Sequence, residues 1–402
     1  MHKKLLAALS ILFSLAFLGC PPKPEGGGTD TSATTGEILV GEYGSMTGPQ
    51  ATFGQSTHNG VMMAVDEVNS AGGVGGRKIK VLSEDDQSKQ EEAANAVSKL
   101  ISQNNVVAVI GEVASSNSLA AAPTCQKNKV PMITPSSTNP AVTEKGDYIF
   151  RMCFIDPYQG EALANYVTQQ LKMKKAAILT DVKSDYSTGL AQFFERTFTA
   201  NGGTIVAKQS YTNGDSDFRS QLTTVKAAGP EVLFVPGYYT DIGQIAIQAR
   251  DLGIKAPLVG GDGWESPKLI EIGGKALEGC FYSNHYYADD PTPVVHEFVR
   301  KYQERYGAKP DALAALGYDA AHVLADSMKR AGKTDSKSIR DAIAETKGYA
   351  GVTGNITLGP DRNPIGKRLV VLEIRNGQLV QKGVVDPSAS AAPATATTTS
   401  TQ

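Results

Sequence analysis

Five short polar stretches each follow an apolar run, and together they hold most of the chemistry this chain offers. Val109-Ile110-Gly111 leads into Glu112-Val113-Ala114-Ser115-Ser116, and Met132-Ile133-Thr134 leads into Pro135-Ser136-Ser137-Thr138-Asn139-Pro140. Ile178-Leu179-Thr180 is followed by Asp181-Val182-Lys183-Ser184-Asp185-Tyr186, Leu233-Phe234-Val235-Pro236-Gly237 by Tyr238-Tyr239, and Leu258-Val259-Gly260-Gly261 by Asp262-Gly263-Trp264. Hydroxyls and free N–H groups at helix starts hold an anion such as a carboxylate. A buried carboxylate, Asp262, with turn carbonyls holds an ammonium group, and hydrogen bonds to charged groups contribute about 1.5–3 kcal/mol each. The combination suits a small zwitterion.

Each stretch also has a plainer explanation. Ser115-Ser116 serves as an N-cap. The Ser-Ser-Thr-Asn-Pro segment starts a short helix at Pro140. Tyr186 and Tyr238 sit on a rim, and Asp262 caps its own turn. Five such turns at the same ends of successive strands argue for a cleft, because ligands of open α/β sheets bind outside the carboxyl ends of the strands.

Other chemistries lack their anchors. There is no G-x-S-x-G elbow and no G-x-x-x-x-G-K-[ST] loop. The glycine-rich 71–78 segment follows a helix pattern and precedes a strand pattern, so it reads as a turn. His296-Glu297 lacks the second histidine of a zinc-protease helix. No catalytic residue, metal site or cofactor is expected. With 39 basic against 41 acidic residues the chain is near neutral, which speaks against nucleic acid as a partner.

These turns need a scaffold. From residue 37 to 285 short Val/Ile/Leu-rich runs alternate with amphipathic helices. Strand patterns occur at 37–43, 78–85, 106–111, 130–134 and 148–153, and the rhythm restarts at 176–182, 204–211, 231–237 and 256–261. Continuous rather than alternating apolar runs, with helices between, predict parallel sheets covered on both faces. Helix patterns follow at 293–307, 311–332 and 335–348, then strand patterns at 355–361 and 367–380 with a hairpin turn at Asn376-Gly377. The fold class is α/β: two doubly wound parallel-sheet lobes joined by crossovers, in preference to one large doubly wound domain.

The first residues read as an address rather than as fold. Lys3-Lys4, an apolar run from Leu5 to Leu18 and Gly19-Cys20 make a signal peptide, too short to span a bilayer. Residues 20–36 are Pro/Gly/Ser/Thr-rich and read as a tether, and 387–402 as a disordered tail. Cys125, Cys153 and Cys280 remain. In an oxidising compartment a Cys125–Cys153 bridge is one expectation, and three buried thiols are the other. Their spacings match no zinc site.

The segments SMTGPQATFGQ, VIGEVASSNS, VPMITPSSTNPAVT, IFRMCFIDPYQG, GYYTDIGQ, GGDGW and LGYDAA, in this order over about residues 37–385, resemble the type I solute-binding proteins of branched-chain amino acid ABC transporters. Gly19-Cys20 is similar to a bacterial lipobox, although Phe17 and Leu18 depart from its usual pattern. The resemblance implies a lipid-anchored, exported monomer that hands an L-amino acid to permease subunits, with residues 37–155 plus 286–363 as one lobe and 156–285 plus 364–386 as the other. It implies that Ser115 and Thr138 hold the ligand carboxylate, and that Ser137 is a ligand-binding residue beside them. It further implies that the Ser136 carbonyl and Asp262 hold the ammonium, that Tyr186 and Tyr238 close over the ligand, and that Phe53 and Leu313 line the side-chain pocket. Asp262 stands where the family carries a glutamate. An accessory sensor for another small carboxylate or amide, and an enzyme with Asp262 as general base, are the rival expectations.

Overall fold

In the computed structural model residues 36–387 are described, and the signal segment, Cys20, the tether up to Thr35 and the tail from Ser388 lie outside them. The first five strands, β1 (Ile38–Gly44), β2 (Ile79–Asp85), β3 (Ala108–Ile110), β4 (Met132–Thr134) and β5 (Ile149–Arg151), form one parallel sheet in the order β2-β1-β3-β4-β5. Its inner strands read as apolar runs because both faces are covered. Val109, Met132 and Ile149 point into a cluster with Val97, Leu100, Ala121 and Cys125 from the helices Gln90–Ser102 and Ser115–Asn128. Their neighbours Ala108, Ile110, Ile133 and Phe150 point the other way, onto Val61, Val65, Leu324 and Met328 from the helices Ala51–Ser70 and Ala312–Ala331. The alternation is the two-residue period of a strand, with apolar side chains on both faces over Ala108–Ile110, Met132-Ile133 and Ile149-Phe150. The edge strand β2, by contrast, carries Lys80, Ser83, Glu84 and Asp85 and is only partly buried.

Those last two helices lie unusually close. A Cβ on Gly60 would stand 2.0 Å from the Ala314 carbonyl oxygen, and one on Gly317 would stand 2.5 Å from that of Thr57. Only hydrogen fits at these two crossing points, so the backbones touch and the start of the Ala312–Ala331 helix is held against Ala51–Ser70.

A second sheet gathers β6 (Lys175–Asp181), β7 (Thr204–Tyr211), β8 (Val232–Phe234), β9 (Leu258–Gly260) and β10 (Phe281–Asn284) with the late strands β13 (Leu369–Arg375) and β14 (Gln378–Val385), in the order β14-β13-β10-β9-β8-β6-β7. A two-stranded ribbon of β11 (Tyr349–Gly351) and β12 (Gly354–Ile356) stands apart. The second sheet is mixed rather than wholly parallel, since β13 runs antiparallel to β10 and turns back into β14. The hairpin predicted at Asn376-Gly377 is present, with φ of 53° and 68°, the positive pair that a tight two-residue turn requires. Strand β10 escaped the sequence pattern because Phe-Tyr-Ser-Asn is short and half polar, yet all four residues are buried between β9 and β13.

The expected Cys125–Cys153 bridge is not formed: both are free thiols, as is Cys280. Cys125 packs in the apolar cluster beneath its helix. The Cys153 thiol instead donates to the Ser137 carbonyl at 3.3 Å. Burial raises both, Cys125 beyond the ordinary thiol range and Cys153 to about 12, so both stay protonated and behave as small buried groups. Among the described residues no helix is long and apolar enough to cross a membrane, and no cluster of His, Cys, Asp and Glu is suited to a metal ion.

Candidate functional site

The turns at the carboxyl ends of β3, β4, β6, β8 and β9 converge. One cavity is lined by Phe53, Val113, Ser115, Ser136, Thr138, Tyr186, Tyr238, Asp262, Gly263 and Leu313. Eight of the nine residues singled out from the sequence are therefore brought together, from both sheets. The space left among them is about 10 Å³, the size of a single water. The rings account for this closure. Tyr186 and Tyr238 stack at 5.4 Å, and Phe53 meets Tyr238 edge-on at 5.5 Å and Tyr239 at 5.3 Å.

Ser137 is the exception. Its hydroxyl faces away from the cavity, 2.7 Å from the Ser118 hydroxyl, 2.9 Å from the Glu112 carbonyl and 3.0 Å from the Val113 carbonyl. It ties the turn after β4 to the turn after β3, so it supports the site without lining it. Arg151, fully buried, performs a related task. Its guanidinium donates to the carbonyls of Ser137 and Asn139 and to Asn363 Oδ1, which pins the 136–140 loop from beneath.

On the opposite side of that first sheet's edge, Glu112 accepts from the Ser45 amide and hydroxyl and from the Ala114 amide. This shapes the turn that delivers Ser115 to the start of its helix. Asp86 takes the same Ser45 hydroxyl at 2.8 Å. Burial raises Asp86 to about 6, and burial followed by the Asp86 charge holds Glu112 well above the usual carboxylate range. The two carboxylates share the Ser45 hydroxyl, and the charge on Asp86 raises Glu112. The sequence offered no signal for this pair beyond two isolated acids at strand ends.

Asp262 sits in a neutral polar frame. Its Oδ1 accepts from Gln159 Nε2 at 2.6 Å, and its Oδ2 lies 3.0 Å from His285 Nε2. Burial holds the His285 imidazole below its usual range despite the Asp262 carboxylate, so the ring is neutral and its Nε2–H donates. It stacks on Phe154 at 3.8 Å, which fixes its plane. Asp156 is fully buried nearby, beside the Thr138 side chain. Burial, then the Asp262 charge, raises it well above the carboxylate range. No lysine or arginine pairs with Asp262 among the described residues. The frame orients the carboxylate and leaves its charge uncompensated. Gln159, His285 and Asp156 were missed because they come from a helix and a strand end far from the Asp262 turn in sequence.

The serine and threonine residues reach the cavity from turns of the first sheet, and this carboxylate from a turn of the second. Ser115 Oγ accepts from the Asn139 amide at 3.2 Å, and the Ser136 hydroxyl is buried without a partner. The rims of the two sheets are also joined directly. Ser116 Oγ donates to Asp185 Oδ2 at 2.7 Å, Asn139 Nδ2 donates to the Asp185 carbonyl at 2.8 Å, and the hydroxyls of Thr52 and Ser266 lie 3.0 Å apart.

The family profile described as periplasmic binding protein matches residues 37–378. A Leu/Ile/Val-binding protein homolog 3 from Brucella melitensis is 30% identical over 361 residues, covering 89% of this chain and 93% of its own. The crystal structure of a leucine binding protein, LivK, from Thermotoga maritima superposes with a TM-score of 0.84 at 39% identity, over 88% of this chain and 99% of that one. A branched-chain amino acid transporter substrate binding protein, LivJ, from Streptococcus pneumoniae, solved with isoleucine, gives 0.83 at 34% identity over 87% and 100%. A solute binding protein from Rhodopseudomonas palustris, solved with 3,4-dihydroxybenzoic acid, gives 0.77 at 27% identity over 87% and 97%.

Proposed function

The chain belongs to the periplasmic binding protein family, and from that premise we propose that it captures a free aliphatic L-amino acid, leucine, isoleucine or valine, between its two lobes and delivers it to the permease of an ABC importer. The observation that carries this reading is the polarity of the cavity. The turns of the first sheet bring hydroxyls and a helix start to it and a turn of the second brings an uncompensated carboxylate, the groups a zwitterion needs. In this reading Ser115 and Thr138 hold the ligand carboxylate. The Ser136 carbonyl and Asp262 hold the ammonium. Phe53 and Leu313 meet the side chain, and Tyr186 and Tyr238 close over it. No bond is broken.

A cavity this small admits a ligand only if its walls part. The proposed hinge runs where the chain passes between residues 37–155 plus 286–363 and residues 156–285 plus 364–386. Opening separates Phe53 from Tyr238 and releases the Ser116–Asp185 and Thr52–Ser266 bonds, and closure remakes them around the ligand. Export with lipid attachment at Cys20 would hold a monomer near its permease. A second reading, an aromatic carboxylate, is favoured by the three rings in the cavity and by the ligand of the Rhodopseudomonas structure. It leaves Asp262 without a role.

Titration calorimetry on protein stripped of ligand decides between them. Leucine, isoleucine or valine is expected to bind with micromolar or tighter affinity, with alanine and phenylalanine weaker. Silence from all five, with heat from 3,4-dihydroxybenzoate, would replace the amino-acid reading by the second one.

A further inference from the structure

A larger crevice lies on the far side of the same turn. It measures about 330 Å³ and shares no lining residue with the cleft. The turn Asp262–Ser266 has two faces: Asp262 looks into the cleft, and Glu265 looks into the crevice. The opposite wall is the start of the Ala312–Ala331 helix, where Asp311 caps the helix and Leu313 belongs to the cleft.

Three features make this crevice more than a packing gap. The first is charge. Glu265, Asp289 and Asp311 line it. Among the described lining residues Lys309 is the only cation, and it is ion-paired with Asp289 at the mouth. Glu265 is buried and takes only neutral donors, the Ala312 amide at 3.0 Å and the Tyr282 hydroxyl at 2.7 Å. Burial, then the Asp311 charge, pushes its carboxyl up to about 7, which shows how poorly the negative charge is compensated from within. The second is an aromatic wall. Tyr282, Tyr286 and Tyr302 are all nearly fully buried along it, and ring faces attract organic cations. The third is a waiting partner: the Tyr286 hydroxyl, on a residue 5% exposed, has no hydrogen-bond partner. Leu269, Leu372 and Leu379 make the remaining floor apolar.

We propose that this crevice is a second small-molecule site, for an organic cation whose ammonium group sits between Glu265 and the tyrosine rings and whose apolar body lies on the leucine floor. An inorganic cation would leave the apolar floor unused, and a carboxylate ligand would meet three acids.

The test is titration calorimetry of the full chain with phenethylammonium chloride, against 2-phenylethanol as the uncharged isostere. Saturable binding of the amine is expected, with the alcohol at least about tenfold weaker, the ratio of one lost charged contact. Glu265→Gln should weaken the amine by about tenfold or more, Leu379→Trp should abolish its binding by filling the crevice, and Thr138→Ala should leave it within about twofold. If Glu265→Gln does not fold, Leu379→Trp carries the test. No saturable heat with the amine, equal binding of the alcohol, or loss in Thr138→Ala but not in Leu379→Trp would each overturn the proposal, the last by placing the amine in the cleft.

Discussion

The cleft and the crevice lie back to back on one turn and are built in opposite ways. The cleft is made of strand-end turns from two sheets, and the rings of Phe53, Tyr186 and Tyr238 meet across it and leave about 10 Å³. The crevice is made of segments from the Asp262–Ser266 turn, a strand end, a hairpin tip and a helix start, its walls are large tyrosines and leucines, and it stays open at about 330 Å³. Rings that come from the edges of two sheets fill the space between them, and in the proposed reading a ligand enters only when those edges part. A site between packed elements keeps its volume because bulky side chains hold it apart.

The sharpest way to break this contrast is to remove the charge on the cleft side. Asp262→Asn keeps the shape but loses the counter-ion and one of the two acceptors that Gln159 and His285 meet, and leucine affinity should fall at least about 30-fold, since unpairing a buried charge costs about 2–5 kcal/mol. Asp262→Glu restores the charge and should recover most of that loss in calorimetry. Equal loss in both would mean that shape, not charge, governs the subsite.

A smaller effect is expected at the rim. Asp185→Ala deletes the bonds to Ser116 and should weaken leucine about three- to tenfold, chiefly through faster release, because contacts remade on closure act on dissociation. Stopped-flow fluorescence of Trp264, the single tryptophan, reads the release rate. An unchanged rate would remove Asp185 from the closing contacts.

The smallest effect concerns the crevice and pH. The Glu265 carboxyl is raised from an ordinary 4.5 to about 7 in the folded chain. A raised carboxyl contributes stability that is fully present below its unfolded value and is lost as pH rises through the folded one. Wild type should therefore lose thermal stability between about pH 4.5 and 7.5, and Glu265→Gln should lose less over that window, by a few degrees at about 2–4 °C per kcal/mol. Asp86 and Asp241, each raised to about 6, contribute the same trend to both proteins and cancel in the difference. Parallel melting curves would show that Glu265 titrates normally.

The contrast also separates what could be read in advance from what could not. Ser115, Ser136, Thr138, Tyr186, Tyr238 and Asp262 were legible because each follows an apolar strand run within a few residues, and strand ends share an edge in a parallel sheet. Ser137 carries the same local signature, yet its hydroxyl turns inward to Glu112 and Val113. Nothing in a run of three hydroxyl residues says which of them faces the cavity. Tyr282, Tyr286 and Glu265 had no shared signature at all, since the crevice exists only once β10, the β13–β14 hairpin and the Ala312–Ala331 helix are packed together.

The sequence by itself determined the alternation of strands and helices, the Asn376-Gly377 hairpin and the polar chemistry of the strand-end turns, because periodicity and turn geometry act over a few residues. The tertiary structure alone decided that β10 is a buried strand, that Cys125 and Cys153 stay apart as thiols, that Arg151 and Ser137 brace the loop, and that Asp262 rests in a neutral frame of Gln159 and His285. Each of these depends on segments distant in the chain meeting at a set distance, and on which polar groups burial then leaves without a partner.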